Sequence, residues 1–401
     1  MNKKNITLLL TIGMLSLTAC SGVSDNTPST GTKLPADEVT QPVPTSEVPD
    51  APVTGVIPEV TPNVTLSPTP AIPVETPTEA PSPSEVHTLE EIRSLFLEAM
   101  TGFESEVMFD VRDMVWTFGI ENDLRNIYSS VLSEHQELKY TYDIAVSVTG
   151  DTAVCTFSYM PYKTGAYDNG VPSGRHIVGS LHDAVVMAQS MNNGTERLPI
   201  AITDATLAVD DIWRALSQAG YGWIRYTPNK DCTEIIATPP VGKTLSECVD
   251  AINESFVLCG EVLSSVVTDG MTPEEKIKAA YSYLTQNTAY DFRYYTDRNS
   301  MPYESTVALG ALKDGLAICG GYAQAFEMLL TMLGVENYTV SGVCSGEYHM
   351  WNYVVLDGVG YYCDPTADRG GISNHFMLTE EELTVHGGYT WNPERYKALQ
   401  K

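Results

Sequence analysis

Gly315-Leu316-Ala317-Ile318-Cys319-Gly320-Gly321-Tyr322 is the most informative stretch of this sequence. Tyr322, Phe326, Leu329, Leu330 and Leu333 follow at helical spacing and Gly334 closes the run as a C-cap, so Cys319 is predicted at the start of a helix. There the unpaired amides and the positive end of the helix dipole favour a thiolate over a thiol, and the thiolate is the form that attacks a carbonyl. The flanking glycines leave room for a substrate backbone near the sulfur. Taken alone, the turn fits a buried structural thiol as well as a reactive one.

Downstream, Tyr348-His349-Met350-Trp351-Asn352-Tyr353-Val354-Val355-Leu356 is an extended apolar run that ends in Asp357-Gly358. Asp-Gly between two strand-like runs is a preferred pair for a tight hairpin turn. With these two residues in the loop, Trp351 faces Asp364 and His349 faces Thr366. Side-chain alternation then puts His349 and Asp364 on one sheet face as diagonal neighbours, about 7–8 Å apart at their backbones, a gap that an imidazole and a carboxylate can close. The same alternation sends Cys363 to the other face, as core or disulfide, and leaves Cys344 unassigned. A neutral imidazole held by Asp364 can accept the Cys319 proton and return it to a leaving amine, which is the arrangement of thiol acyl transfer.

Across roughly Thr272 to Leu378 the sequence resembles the transglutaminase-like superfamily. The resemblance rests on Ile318-Cys319-Gly320-Gly321-Tyr322-Ala323, His349-Met350-Trp351-Asn352, Leu356-Asp357-Gly358 and Asp364-Pro365-Thr366, in the family's order. It implies a papain-like α+β fold with Cys319 as nucleophile, His349 as general base and acid, and Asp364 as the group orienting the histidine. Ala289-Tyr290-Asp291 also looks like a family element, without an assigned role. Two departures stand out: Met350 replaces a usual small residue and Gly360 a common aromatic. Neither is expected to touch the triad, and the second is expected to widen or soften the hairpin. The amide of Cys319 is the expected first oxyanion donor, with the second unidentified. His375 and His386 read as solvated or core histidines, and Trp213 and Trp223 as core.

Upstream, Thr244 and Glu247 stand at capping-box spacing ahead of an apolar face of Val249, Ile252, Phe256 and Cys259. Thr272-Pro273-Glu274-Glu275 starts a further helix with a buried stripe of Ile277, Ala280, Tyr281 and Leu284. Two earlier segments share one order of elements: helix, short strand, helix, two strands. The first begins abruptly at the capping box Thr88-Leu89-Glu90-Glu91; the second begins at a helix capped by Ser180.

Residues 1–20 have the parts of an export signal: Lys3 and Lys4, an apolar run from Ile6 to Leu17, then small residues before Cys20. Leu17-Thr18-Ala19-Cys20 resembles the bacterial lipobox, which implies a lipid on Cys20 and a stable membrane anchor. From Ser21 to Val86 there is no aromatic residue and 14 of the chain's 24 prolines occur, so this segment cannot bury enough apolar area to fold. It reads as an extended spacer crossing a thick wall, hence a Gram-positive cell.

The formal charge of −28 argues against binding nucleic-acid phosphates or an anionic membrane surface. Eight cysteines without a CxxC pair or zinc-like spacing argue against a structural metal; a lipidated Cys20 leaves seven, enough for up to three disulfides and one free thiol.

The expected map is a signal peptide over 1–19, a Pro/Thr/Ser-rich linker over 20–86, small α/β modules over 87–170 and 171–243, and a transglutaminase-like catalytic domain over 244–401. The expected function is a cell-surface thiol enzyme acting on amide bonds of proteins or peptides, with hydrolysis favoured over crosslinking, no cofactor and no metal. The alternatives are a non-catalytic adhesion or wall-binding protein on the same fold, and modules that bind wall polymer to position the enzyme.

Overall fold

The structure is a computed structural model that describes residues 83–400. The expected signal peptide, Cys20 and the linker up to Ser82 lie outside the described residues. Among the described residues no helix is long and apolar enough to cross a membrane.

Helix α1 (Leu89–Gly102) starts at a capping box in which Thr88 and Glu91 satisfy each other's backbone amides. Residues ahead of this capping box also pack on the module. Val86 is buried in the first core, and Ser84 bonds to the first strand through its N–H to Met108 O (2.8 Å) and its carbonyl from Asp110 N (3.2 Å). The linker therefore ends before Ser84, because one apolar side chain and one open strand edge suffice to fix those residues.

The first module runs α1, β1 (Glu106–Asp110), α2 (Ile120–Glu134), β2 (Thr141–Thr149) and β3 (Thr152–Tyr159), with the sheet order β1-β3-β2, antiparallel throughout. Ile92, Phe96, Phe109, Leu124, Val131 and Phe157 form its core. Phe96 meets Phe157 edge-on at 5.2 Å, a contact of about 0.5–1.5 kcal/mol beyond burial.

The second module begins with β4 (His176–Val178) and continues with α3 (Leu181–Ser190), β5 (Arg197–Ile202), α4 (Val209–Leu216), β6 (Arg225–Pro228) and β7 (Glu234–Thr238). Its sheet order is β4-β5-β7-β6. Without β4, which pairs in parallel with β5, the order and antiparallel pairing repeat those of the first module. Its core is not separate: Val178, Ile212 and Tyr226 belong to one apolar cluster with Tyr281, Phe326 and Trp351 of the C-terminal part. Trp213, read as core, is 46% exposed, because it lies on the outer side of α4, away from buried Ile212 and Leu216.

In the C-terminal part, α5 (Leu245–Val266) and α6 (Pro273–Asn287) both start at capping boxes. Two-residue β8 (Ala289–Tyr290), the short helix α7 (Arg293–Thr296) and β9 (Leu316–Ala317) lead to α8 (Cys319–Met332), whose residues from Cys319 through Leu330 are all buried. α8, mostly apolar but with Gln324 and Glu327 also buried, is packed among α5, α6, β10 (Asn337–Cys344) and β11 (Glu347–Leu356). The sheet has the order β12-β11-β10-β13, with β12 at Val359–Cys363 and β13 at Tyr389–Thr390. All seven described cysteines are free.

Candidate active site

Cys319 is fixed from the strand that leads to it. β8 and β9 pair in parallel, Ala289 with Leu316 and Tyr290 with Ala317. Asp291 N–H then donates to Ala317 O (3.0 Å) and Ile318 N–H to Ser305 O (2.9 Å). The Asp291 carboxylate, 2% exposed, accepts from Ser305 Oγ (2.7 Å) and pairs with Arg293 (2.8 Å). Arg293 holds that carboxyl down at about 2, so the group stays charged and the clamp closed. Ala289-Tyr290-Asp291 thus positions the turn before Cys319.

The two glycines after Cys319 serve the chain's own packing, not the approach of a substrate. A Cβ on Gly320 would stand 2.8 Å from Thr306 O; one on Gly321 would stand 2.8 Å from Ala317 Cβ and 2.9 Å from both Ser305 O and Val307 O. The first turn of α8 lies directly against the 305–307 backbone, and only glycine fits there.

The hairpin has the expected register: Asn352 opposes Cys363 and Leu356 opposes Val359. Asp357 and Gly358 have φ of 52° and 77°, the doubly positive geometry of a type I′ turn. β12 ends at Cys363, and Asp364 turns out of the sheet with its N–H on His375 O (2.9 Å). Its carboxylate, 1% exposed, is saturated. Oδ2 accepts from His349 Nε2 (2.7 Å) and Tyr389 Oη (2.7 Å), and Oδ1 accepts the amides of Thr366 (2.9 Å) and Ala367 (3.0 Å). These donors favour the charged form and hold the pKa low against a burial that opposes ionisation.

Since an ionised carboxylate only accepts, His349 Nε2 carries a proton and Nδ1 is left for Cys319. Burial of the imidazole works against its charge, but the Asp364 carboxylate, with a smaller contribution from the Cys319 thiol beside the ring, raises the pKa to about 11. Trp351 stacks on the imidazole at 5.8 Å and 23°, and Tyr389 packs edge-on against Trp351 at 5.2 Å. The three side chains named from the sequence are therefore assembled at one place.

Tyr389 and Asp368 were not foreseen. Tyr389 arrives on a two-residue strand that pairs with Cys344, and no periodicity marks it. Asp368, fully buried, accepts from Tyr281 Oη (2.6 Å) and from His375 Nδ1 (3.0 Å), while Tyr281 Oη also lies 2.9 Å from Asp364 O. His375 is thus neither a solvated nor an apolar-core histidine: it buttresses Asp364 from behind. His386 is exposed, its ring 4.7 Å from that of His375.

Met350 does reach the site, forming a buried cluster with Cys319 and Ala323. Gly360 does not soften the hairpin, because the Tyr353 ring fills its place; a Cβ there would stand 1.8 Å from Tyr353 Oη. Cys363 is enclosed, accepts from Met377 N–H (3.3 Å), and has its thiol pushed up to about 12 by burial. Among the described residues no group of three or more His, Cys, Asp or Glu side chains is placed to hold a metal ion.

The family model of the transglutaminase-like superfamily matches residues 261–364, a span that includes Cys319, His349 and Asp364. Residues 261–364 form a transglutaminase-like domain. The sequence is 27% identical over 122 residues to kyphoscoliosis peptidase of Homo sapiens, covering 27% of this chain and 18% of that protein. The Mus musculus kyphoscoliosis peptidase is 26% identical over 146 residues, covering 33% and 22%. This chain thus spans about a fifth of the curated relatives it matches. A solved crystal structure of a TGase overlaps 67% of this chain and 52% of its own, at 12% identity and a TM-score of 0.28. The transglutaminase-like domain extends past the matched span in space, since Tyr389 and His375 complete the surroundings of Asp364.

Proposed function

We propose that the chain is a thiol enzyme that opens amide bonds of proteins or peptides through an acyl thioester on Cys319. The observation that carries this reading is the His349 imidazole, bonded through Nε2 to the buried Asp364 carboxylate and with the Cys319 thiol beside its ring. Before attack the ring, held charged by Asp364, already carries the thiol's proton on Nδ1; the thiolate sulfur attacks the carbonyl carbon, and the imidazolium gives that proton to the leaving amine as the C–N bond breaks. The amides of the first turn of α8 have no acceptor within the helix, and this reading assigns the amide of Cys319 as the first oxyanion donor. In the second half-reaction His349 deprotonates a water that attacks the thioester. Hydrolysis is favoured over crosslinking because the matched relatives are named peptidases. The export signal and Cys20 add a lipid-anchored position on the outer face of a bacterial membrane, with the proline-rich spacer holding the domain away from it.

An iodoacetamide-alkyne probe on the full chain tests the site. Labelling of one thiol, lost in Cys319→Ala and slowed in His349→Gln, is the expected result. A native chain whose Cys319 reacts no faster than a free cysteine would favour the alternative of a non-catalytic surface-binding protein. Mass spectrometry of protein substrates after incubation then distinguishes cleavage from amine crosslinks.

A further inference from the structure

The second module reaches the backbone beneath Cys319 through one strained bend. Between α4 and β6 the chain turns at Tyr221 and Gly222, whose φ values of 47° and 71° both lie in the left-handed region. A tyrosine adopts that conformation at a cost, so packing has to hold it: Tyr221 is fully buried, its ring edge-on to Phe256 of α5 at 5.3 Å. Gly222 lies against α8, where a Cβ would stand 2.6 Å from the Gln324 side-chain amide and 2.8 Å from Val307 Cγ1. The Gly222 carbonyl accepts from Tyr303 Oη. Trp223 packs on the Tyr303 ring at 5.2 Å, and Lys243 closes the contact, its ammonium nitrogen 5.3 Å from the Trp223 ring centre and 3.1 Å from the Glu304 carboxylate.

Tyr303 opens the segment on which the turn of Cys319 rests. Tyr303–Thr306 is a single 3-10 turn, closed by Thr306 Oγ1 on Tyr303 O (2.6 Å) and by Val307 N–H on Glu304 O (3.2 Å). Its far end carries the Ser305 carbonyl that takes the Ile318 N–H and the Thr306 and Val307 carbonyls that crowd Gly320 and Gly321. The path from Gly222 to Cys319 is therefore one hydrogen bond, one closed turn and one tight crossing. Apolar burial is non-directional and would join the module to α8 in many relative positions, whereas a hydroxyl bond and a crossing that admits only glycine select one.

We propose that the Tyr221-Gly222-Trp223 bend of the second module is a positioning element for Cys319 that acts through Tyr303, so that Gly222 and Tyr303 are positioning residues for acyl transfer and the second module is a working part of the enzyme. The inference rests on the acyl-transfer reading. In the full chain, Tyr303→Phe keeps the ring on Trp223 and removes only the bond to Gly222 O. Misplacing a reacting atom costs rate and leaves substrate binding alone, so kcat for a peptide amide and the rate of Cys319 alkylation by iodoacetamide are both expected to fall about tenfold, with KM within about twofold of native and a native-like circular dichroism spectrum. Gly222→Ala, with its Cβ forced onto Gln324 and Val307, is expected to lower both rates further. Ile200→Val trims a buried side chain in β5 of the same module and controls for stability: a lower urea midpoint is expected, with kcat and alkylation within about twofold of native. Native rates in Tyr303→Phe, a raised KM with kcat unchanged, or equal slowing by Ile200→Val overturns the proposal while a reactive native Cys319 leaves the acyl-transfer reading standing. A native chain whose Cys319 is inert towards the probe and towards amides brings down that reading, and this inference with it, before any variant is compared.

Discussion

Asp364→Asn changes one oxygen to an amide nitrogen with almost no change of shape, and the structure dictates which one. Oδ1 receives two backbone N–H groups, from Thr366 at 2.9 Å and Ala367 at 3.0 Å, and backbone donors cannot be inverted. The amide oxygen must therefore occupy that position and the NH2 group must take the place of Oδ2, facing His349 Nε2 and Tyr389 Oη, both 2.7 Å away in the native chain. The new donor requires a lone pair on Nε2, so the ring becomes neutral with its one proton on Nδ1 and can no longer hold the proton of Cys319 as well. A triad histidine held in the wrong tautomer loses about 10⁴ in kcat, or about 5.5 kcal/mol of barrier. The assay is steady-state hydrolysis of a peptide amide, paired with the rate of Cys319 alkylation at neutral pH and with circular dichroism. The expected result is a loss near four orders of magnitude in kcat, slow alkylation and a native-like spectrum. A variant within tenfold of native kcat, with its fold intact, would refute the reasoning.

Tyr389→Phe removes one of two donors to the same carboxylate oxygen; a hydrogen bond to a charged group is worth about 1.5–3 kcal/mol, so kcat is expected to fall by about 10- to 100-fold with KM little changed, as initial rates would show. The pH dependence follows from the raised imidazole. Its stabilisation is fully present below the ordinary value of 6.5, declines above it and is gone once pH passes about 11, whereas the low-lying Asp364 contributes stability that is lost on acidification. Urea midpoints of native and His349→Gln chains across that range should converge towards pH 11; a constant difference would contradict the ion pair. Gly321→Ala places a Cβ within 2.9 Å of two carbonyl oxygens, and overpacking of this kind costs about 1–3 kcal/mol, so a lower urea midpoint and slower labelling of Cys319 are expected, with an unchanged midpoint counting against the tight crossing.

Local rules made much of this protein legible in its sequence. The capping boxes at Thr88, Thr244 and Thr272 form as spaced, because each needs only residues three apart. The Asp357-Gly358 turn set the register from Leu356–Val359 to Asn352–Cys363, since hairpin register follows from loop length, whereas Asp364 lies beyond the end of the ladder and reaches His349 from the turn that follows, not as a paired neighbour on one sheet face. Helix period and a preceding glycine-rich turn put Cys319 at a helix start.

Tertiary structure decided what depends on neighbours distant in sequence. That Gly320 and Gly321 yield to the chain's own 305–307 backbone, that Tyr389 shares an oxygen of Asp364 with His349, and that His375 supports the same residue through Asp368 and Tyr281 are all contacts without a sequence period. The second module is likewise separate in its pattern of elements but joined to the transglutaminase-like domain by one core. Spacing along a chain encodes which face a side chain takes. What meets that face is set by apolar burial and polar satisfaction across the whole fold, and only the packed molecule resolves it.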